Sequence, residues 1–304
     1  MVLSITSILG NLTPDLVILF EIGVLIIIAT LLAFLIKKLK QPIIPAYIIA
    51  GIIIGPLVLG LVKNQDLINS LSEIGVAFLI FTAGLEINFK KLKEVGSTIA
   101  ISGILQVVIT FAITFGICLL FGLQNQAAIY VGLIVAFSST MIVVKILADK
   151  RELNSLHGRI IIGILLMQDI IAIIALMVLS SNFTILSLAI VLAKGVILGV
   201  LAFLLAKAIN PIIRASADSQ ELLLLVSISF LFLFVIGVSI GGFSLVIGAF
   251  FAGVALANSD YKTEIEGKIT PLREFFAVIF FVSLGMQLNF IDLKSIYLLI
   301  ALFL

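Results

Sequence analysis

Apolar positions run along this chain in long unbroken blocks, each followed by a short polar segment. Ten blocks are long enough to read as complete membrane-spanning helices: 16–36, 43–61, 68–87, 95–121, 127–147, 158–180, 184–207, 220–239, 242–258 and 272–290. At about 17–25 residues they suit helices and are too long for the strands of a membrane barrel. An eleventh block begins near Ser295 and runs to Leu304 as SIYLLIALFL, about half the length a crossing needs. The expected fold is an all-α polytopic membrane bundle over residues 1–304, incomplete at its C-terminus, as a fragment or partial gene product would be, and with no soluble domain.

Composition sharpens this picture. The chain is 62% hydrophobic and 11% charged, with a mean hydropathy of +1.39, against about 25% charged residues in a soluble domain. The start, MVLSITSILG, has no basic region ahead of its apolar residues and so does not read as a secretory signal. Cys118 is the single cysteine and falls in an apolar block, which excludes an internal disulfide and points to packing. The single histidine, His157, stands beside charged residues at a helix start, so a solvated role is expected. No cysteine–histidine cluster, phosphate-binding loop, catalytic triad or nucleic-acid face is present, and no cofactor is expected.

Basic residues fix the expected orientation. Lys37, Lys38 and Lys40 follow the first span, and Lys90, Lys91 and Lys93 the third. Lys145, Lys150, Arg151 and Arg159 surround the loop after the fifth. Lys207 and Arg214 follow the seventh, and Lys262, Lys268 and Arg273 the ninth. The alternate loops hold Lys63 and Lys294. The positive-inside rule puts the first set in the cytoplasm and the N-terminus outside. Lys194 lies near the middle of the seventh span, where it either snorkels or pairs between helices, or belongs to a gate.

One acid changes the reading from membrane bundle to chemistry. In Gly158–Ser181, GRIIIGILLMQDIIAIIALMVLSS, Asp169 is the single carboxylate. At a rise of about 1.5 Å per residue it sits about 16 Å deep, the middle of a hydrocarbon core about 30 Å thick. A charge there is costly and marks a functional site by default. Gln168 is its neighbour. On the preceding span, Ser138, Ser139 and Thr140 fall at the same depth, and consecutive helices are usually neighbours in space. Hydroxyls bond carbonyls one turn back and bend helices, and helices broken at the midplane expose backbone groups that coordinate cations. Hydroxyls, an amide and one carboxylate make a site of hard oxygen donors. Asp169 could hold a proton or a small cation, but not both together, which is the minimum chemistry of an antiporter.

Six segments together resemble the Kef-type branch of the second monovalent cation:proton antiporter family. They are AGIIIGPLVLG (Ala50–Gly60), EIGVAFLIFTAGLEIN (Glu73–Asn88), AFSSTMIVVKIL (Ala136–Leu147), LLMQDIIAI (Leu165–Ile173), GAFFAGVALAN (Gly248–Asn258) and FFVSLGMQLNF (Phe280–Phe290). The resemblance implies a sodium/proton antiporter-like fold of thirteen helices in inverted repeats, with a dimerisation domain, hence a homodimer, and a moving core domain. It implies that Asp169 carries ion and proton, with Gln168 beside it, and that Ser138–Thr140 is the crossover of the first broken helix. Relatives with two adjacent acids look like electrogenic sodium exchangers. A Gln–Asp pair looks more like electroneutral potassium–proton exchange, with sodium still open. The family's second broken helix and its C-terminal nucleotide-binding domain would lie beyond Leu304. Asp260–Phe276 aligns with the family's acidic regulatory loop, but Glu264-Ile265-Glu266-Gly267 stands there, which argues against glutathione-type regulation.

The expected setting is the cell membrane, with protons, K+ or Na+ and the lipid bilayer as partners and no nucleic acid. Glu86 is expected to form a local ion pair or interfacial anchor with Lys90 and Lys91 nearby. Glu73 and Glu21 are interfacial or cavity-lining. Gly51, Gly55, Gly248 and Gly253 allow close helix approach. An ion channel or non-transporting subunit is the alternative reading, but neither a pore loop of carbonyls nor a ring of charges is evident. An intramembrane enzyme would need two acids in the plane or a Ser–His arrangement, and His157 is at the wrong depth for Ser138.

Overall fold

The computed structural model describes residues 13–62, 64–87, 96–138, 155–179, 185–240 and 243–288, with a few single positions between 143 and 152. Ten helices are present among the described residues. They are α1 (Pro14–Lys38), α2 (Ile44–Ile54), α3 (Gln65–Glu86), α4 (Ser97–Leu120), α5 (Asn125–Ala136), α6 (Leu156–Leu179), α7 (Ile185–Ser216), α8 (Gln220–Ile240), α9 (Leu245–Leu256) and α10 (Lys262–Met286). Seven are long and apolar enough to cross a membrane, and α2, α5 and α9 are shorter apolar helices. Large apolar side chains stand exposed along the outside: Leu19, Ile27 and Phe34 on α1, Val108 and Ile113 on α4, Phe203 on α7, Leu233 and Ile236 on α8. Exposure on that scale suits lipid rather than water.

Local chemistry sets the helix ends. Pro14 and Pro45 stand in the first turns of α1 and α2, where a missing N–H costs nothing. The Asn64 side chain accepts from Leu67 N at 3.1 Å to start α3, and Ser244 caps α9. Glu21, buried on α1, accepts from Asn64 N at 3.3 Å and so ties the α3 start to α1.

Besides α5, whose described helix ends at Ala136 against an expected 147, three spans differ from the hydropathy reading. α2 ends at Ile54, well before residue 61, because Pro56 cannot continue a helix. α7 runs on to Ser216 with Pro211 inside it. α10 starts at Lys262, ten residues ahead of the expected span, so most of the segment aligned with a loop is helix. Ile265 and Ile269, one turn apart, are both fully buried there, and the charged residues ride on the outer face. The block near Ser295 lies outside the described residues.

The helices pack as two groups. α1 packs on α2 and α10, α2 on α10, α3 on α9 and α10, and α8 on α9 and α10. One apolar core joins α1, α2, α3 and α10, and a second joins α3, α7, α8, α9 and α10. The other group is α4 packed on both α5 and α6, and α7 bridges the groups by contacting α6, α8 and α9.

The larger group is an internal repeat. The pairs α1–α2 and α8–α9 match, as do α2–α10 and α9–α3. Short α2 is the counterpart of short α9. A Cβ on Gly51 would meet Val282 O at 2.1 Å and Gly285 Cα at 2.9 Å, while one on Gly253 would meet Phe81 O at 2.0 Å and Gly84 Cα at 3.0 Å. The reciprocal contacts hold: a Cβ on Gly285 would meet Ile48 O at 2.2 Å, and one on Gly84 would meet Phe250 O at 2.3 Å. The sequences align accordingly, Ala50-Gly51 with Ala252-Gly253, and Thr82–Ile87 (TAGLEI) with Ser283–Leu288 (SLGMQL). One crossing per element makes the two units run in opposite directions, the inverted-topology pattern of secondary transporters. The Gly51-x-x-x-Gly55 stripe is spent inside the chain, against α10.

Candidate cation and proton site

α5 ends at Ala136. Phe137 N still reaches Leu133 O at 3.2 Å, but Phe137 itself is extended, at φ −98° and ψ 130°. Ser138 N leaves the helical ladder and donates to Gln168 Oε1 on α6 at 3.4 Å. The Ala136 carbonyl, left over at the helix end, accepts from Gln106 Nε2 on α4 at 3.5 Å. The two glutamines are themselves joined, Gln168 Nε2 donating to Gln106 Oε1, and Gln106 Nε2 lies 3.5 Å from Thr110 Oγ1. Two side-chain amides therefore satisfy the backbone at the C-terminal end of α5, as burial demands.

Gln168 is 3% exposed and Asp169, the next residue, is half-buried. The Gln168 carbonyl has two lone pairs and Ser138 N uses one, which leaves one for a ligand. Close packing fixes the frame around it: a Cβ on Gly103 of α4 would lie 2.8 Å from Met167 Cβ of α6, and one on Gly132 of α5 would lie 2.9 Å from the Phe111 ring of α4. The structure thus brings together Ser138 and Gln168, and Asp169 follows Gln168 on α6. Ser139 and Thr140 lie outside the described residues, as does the Lys194 side chain. His157 is largely exposed and pairs with Glu152 at 3.1 Å, and Cys118 is buried.

Gln106 is the residue that sequence reasoning missed. Its signal was an amide in the middle of an otherwise apolar span, less conspicuous than a charge. Glu86 forms an ion pair with Arg273 of α10 at 3.6 Å. Lys90 and Lys91 lie outside the described residues. Among the described residues no group of three or more His, Cys, Asp or Glu is placed to hold a metal.

Residues 23–304 match the family model described as sodium/hydrogen exchanger, transmembrane. The chain belongs to that family. It is 32% identical over 289 residues to K(+) efflux antiporter 5 of Arabidopsis thaliana, covering 90% of this chain and 50% of that protein. It is 33% identical over 254 residues to the glutathione-regulated potassium-efflux system protein KefC of Enterobacter sp. (strain 638), covering 80% of this chain and 41% of that one. These two relatives support the Kef-type branch. A match to the probable Na(+)/H(+) antiporter GerT of Bacillus cereus is 32% identical over 283 residues and covers 91% of this chain and 75% of that protein. The chain spans about half the length of several curated relatives it matches. Among solved structures, the sodium proton antiporter MjNhaP1 from Methanocaldococcus jannaschii superposes with a TM-score of 0.64 at 21% identity, over 92% of this chain and 72% of that one. That likeness shows the antiporter fold.

Proposed function

We propose that this membrane domain carries out electroneutral exchange of a monovalent cation for a proton, with potassium favoured over sodium. The observation that carries the reading is the placement of Asp169 beside Gln168, which is tied to the broken end of α5. A lone carboxylate at this depth binds a proton or a cation in alternation, and one proton for one monovalent ion moves no net charge. The names of the relatives, potassium efflux systems and a sodium/proton antiporter, support cation:proton exchange as the class. Gln168 offers a neutral carbonyl in place of a second carboxylate, so the field is weaker and favours the ion that sheds water more easily, potassium. Ser138, Ser139 and Thr140 supply oxygens at the crossover. The domain acts in the cell membrane as a homodimer with its N-terminus outside.

The test is exchange by the full-length protein in liposomes under an imposed pH gradient. Asp169→Asn is expected to abolish it, and sustained exchange by that variant removes Asp169 from the mechanism. The rate in the unmodified protein is expected not to follow an imposed membrane potential. A rate that does follow it overturns electroneutrality, and a tighter apparent affinity for sodium overturns the potassium assignment.

A further inference from the structure

We propose that a pocket between the end of α7 and the turn joining α9 to α10 binds the headgroup of an anionic phospholipid, its phosphodiester seated between Lys207 and Arg214. The pocket has a volume of about 470 Å³, within the range of small-molecule sites, about 300–1,000 Å³. Lys207, Asn210 and Arg214 line it from α7, at the three-and-four spacing that puts them on one helix face. Ser259, Asp260 and Tyr261 line it from the turn. Hydrogen bonds hold that turn: Ser259 N donates to Leu256 O at 3.0 Å, Lys262 N to Ser259 O at 3.2 Å, and Tyr261 N to Ser259 Oγ at 3.3 Å. The wall is therefore built before a ligand arrives, which lowers the cost of binding.

Charge says what fits. Arg214 Nη2 lies 3.5 Å from Asp260 Oδ2, with both side chains largely exposed. One exposed contact is weak and leaves most of the five guanidinium N–H donors for a second acceptor. The Lys207 ammonium lies over the Phe203 ring, 4.7 Å from its centroid. With Lys207 and Arg214 against Asp260, the lining keeps a single excess positive charge, the complement of one phosphodiester. The Asn210 amide and the Ser259 and Tyr261 hydroxyls add neutral donors, and Asp260 is an acceptor for a headgroup hydroxyl. The second, independent observation is the surface that leads into the pocket. Val196, Val200 and Phe203 continue the same face of α7 at the same spacing and are 68%, 55% and 58% exposed. The stripe turns from apolar to basic at Lys207. A lysine whose stem runs along apolar surface marks the level of the headgroups. Acyl chains lie along Val196, Val200 and Phe203, and the phosphate sits one turn further on. A free phosphate has no use for that stripe.

The experiment heats delipidated full-length protein in a neutral detergent with dioctanoyl phosphatidylglycerol, dioctanoyl phosphatidylcholine or inorganic phosphate. Size exclusion then reads the concentration of each that gives half of its maximal stabilisation. Phosphatidylglycerol is expected to act at a lower concentration than phosphatidylcholine, and inorganic phosphate to give no stabilisation. Lys207→Gln is expected to raise the phosphatidylglycerol concentration about fivefold, the effect of one basic charge at a membrane surface, and Lys207→Arg to leave it unchanged. Asp260→Asn removes the carboxylate of the pocket and is expected to lower that concentration. Lys207 and Asp260 are both exposed, and if Lys207→Gln does not fold, Asp260→Asn decides. Equal action of the two lipids, or shifts of Lys207→Gln and Asp260→Asn in the same direction, overturns the inference and leaves a solvated basic face. Stabilisation by inorganic phosphate alone overturns it in favour of a phosphate site. Transport is not measured, so each outcome bears on this pocket and leaves the antiport reading where it stands.

Discussion

Adding one methyl group at Gly253 is expected to destabilise the chain more than most changes at charged residues. Its Cβ would stand 2.0 Å from Phe81 O and 2.9 Å from Leu85 N, both backbone atoms of α3. Non-bonded contact begins near about 3.5 Å, so α9 must retreat from α3 by more than an ångström, and no side chain can turn aside to absorb it. Ala249, Ala252 and Leu256 are fully buried on the same helix and would lose contact as it moved. Overpacking costs about 1–3 kcal/mol, and a rigid backbone obstacle puts Gly253→Ala at the upper end. The control is Gly237→Ala on α8, where a Cβ meets nothing within 4 Å. There alanine gains about 0.5–1 kcal/mol of helix propensity. The chain has no tryptophan, so the assay is the fraction of detergent-solubilised protein that stays monodisperse on size exclusion after heating. About 3 kcal/mol corresponds to a loss of roughly 6 °C or more in a chain of this size. The inverted repeat adds a demand: Gly51→Ala must behave like Gly253→Ala, since its Cβ would lie 2.1 Å from Val282 O. A Gly253→Ala midpoint within a degree of the unmodified protein, or one matching Gly237→Ala, refutes the packing argument.

Gln106→Leu removes the partners of the Gln168 amide and the Ala136 carbonyl; it is expected to cost about 1–3 kcal/mol in the same thermal assay and to slow exchange while leaving Asp169 in place. Gln168→Glu puts a second acid beside Asp169, and its exchange in liposomes is expected to become sensitive to membrane potential, in contrast to the unmodified protein.

Hydropathy located all ten described helices because each lies largely in one apolar block. It misjudged ends where the controlling physics is not transfer into lipid. The first turns of α10 carry Lys262, Glu264, Glu266 and Lys268 and read as loop, yet Ile265 and Ile269 bury one face and the helix continues past the apolar block. For the site, equal depth placed Ser138 and Gln168 together, and the Ser138 amide meets the Gln168 carbonyl. Gln106 was not legible because an uncharged amide hardly lowers the hydropathy of a span, and its partners are a backbone carbonyl and another amide far along the chain. Glu86 and Arg273 were not legible as a pair because nearer lysines offered a local partner. The repeat was faint for the same kind of reason. TAGLEI and SLGMQL share a single identical position, Gly84 with Gly285, and what the two units have in common is where backbones touch.

The packing also says which parts of an exchanger of this design must be stiff. Alternating access needs a site at the boundary of two bodies, each rigid enough to move as a unit. In the larger group, rigidity comes from glycine contacts that bring α2 onto α10 and α9 onto α3 at backbone distance. In the smaller group it comes from Gly103 against Met167, Gly132 against Phe111, and the Gln106–Gln168 bridge to the end of α5. Asp169 stands on α6 of the smaller group, next to the Gln168 that ties α6 to the end of α5. On the antiport reading, a rigid unit of α4, α5 and α6 carries that carboxylate and the amides around it together.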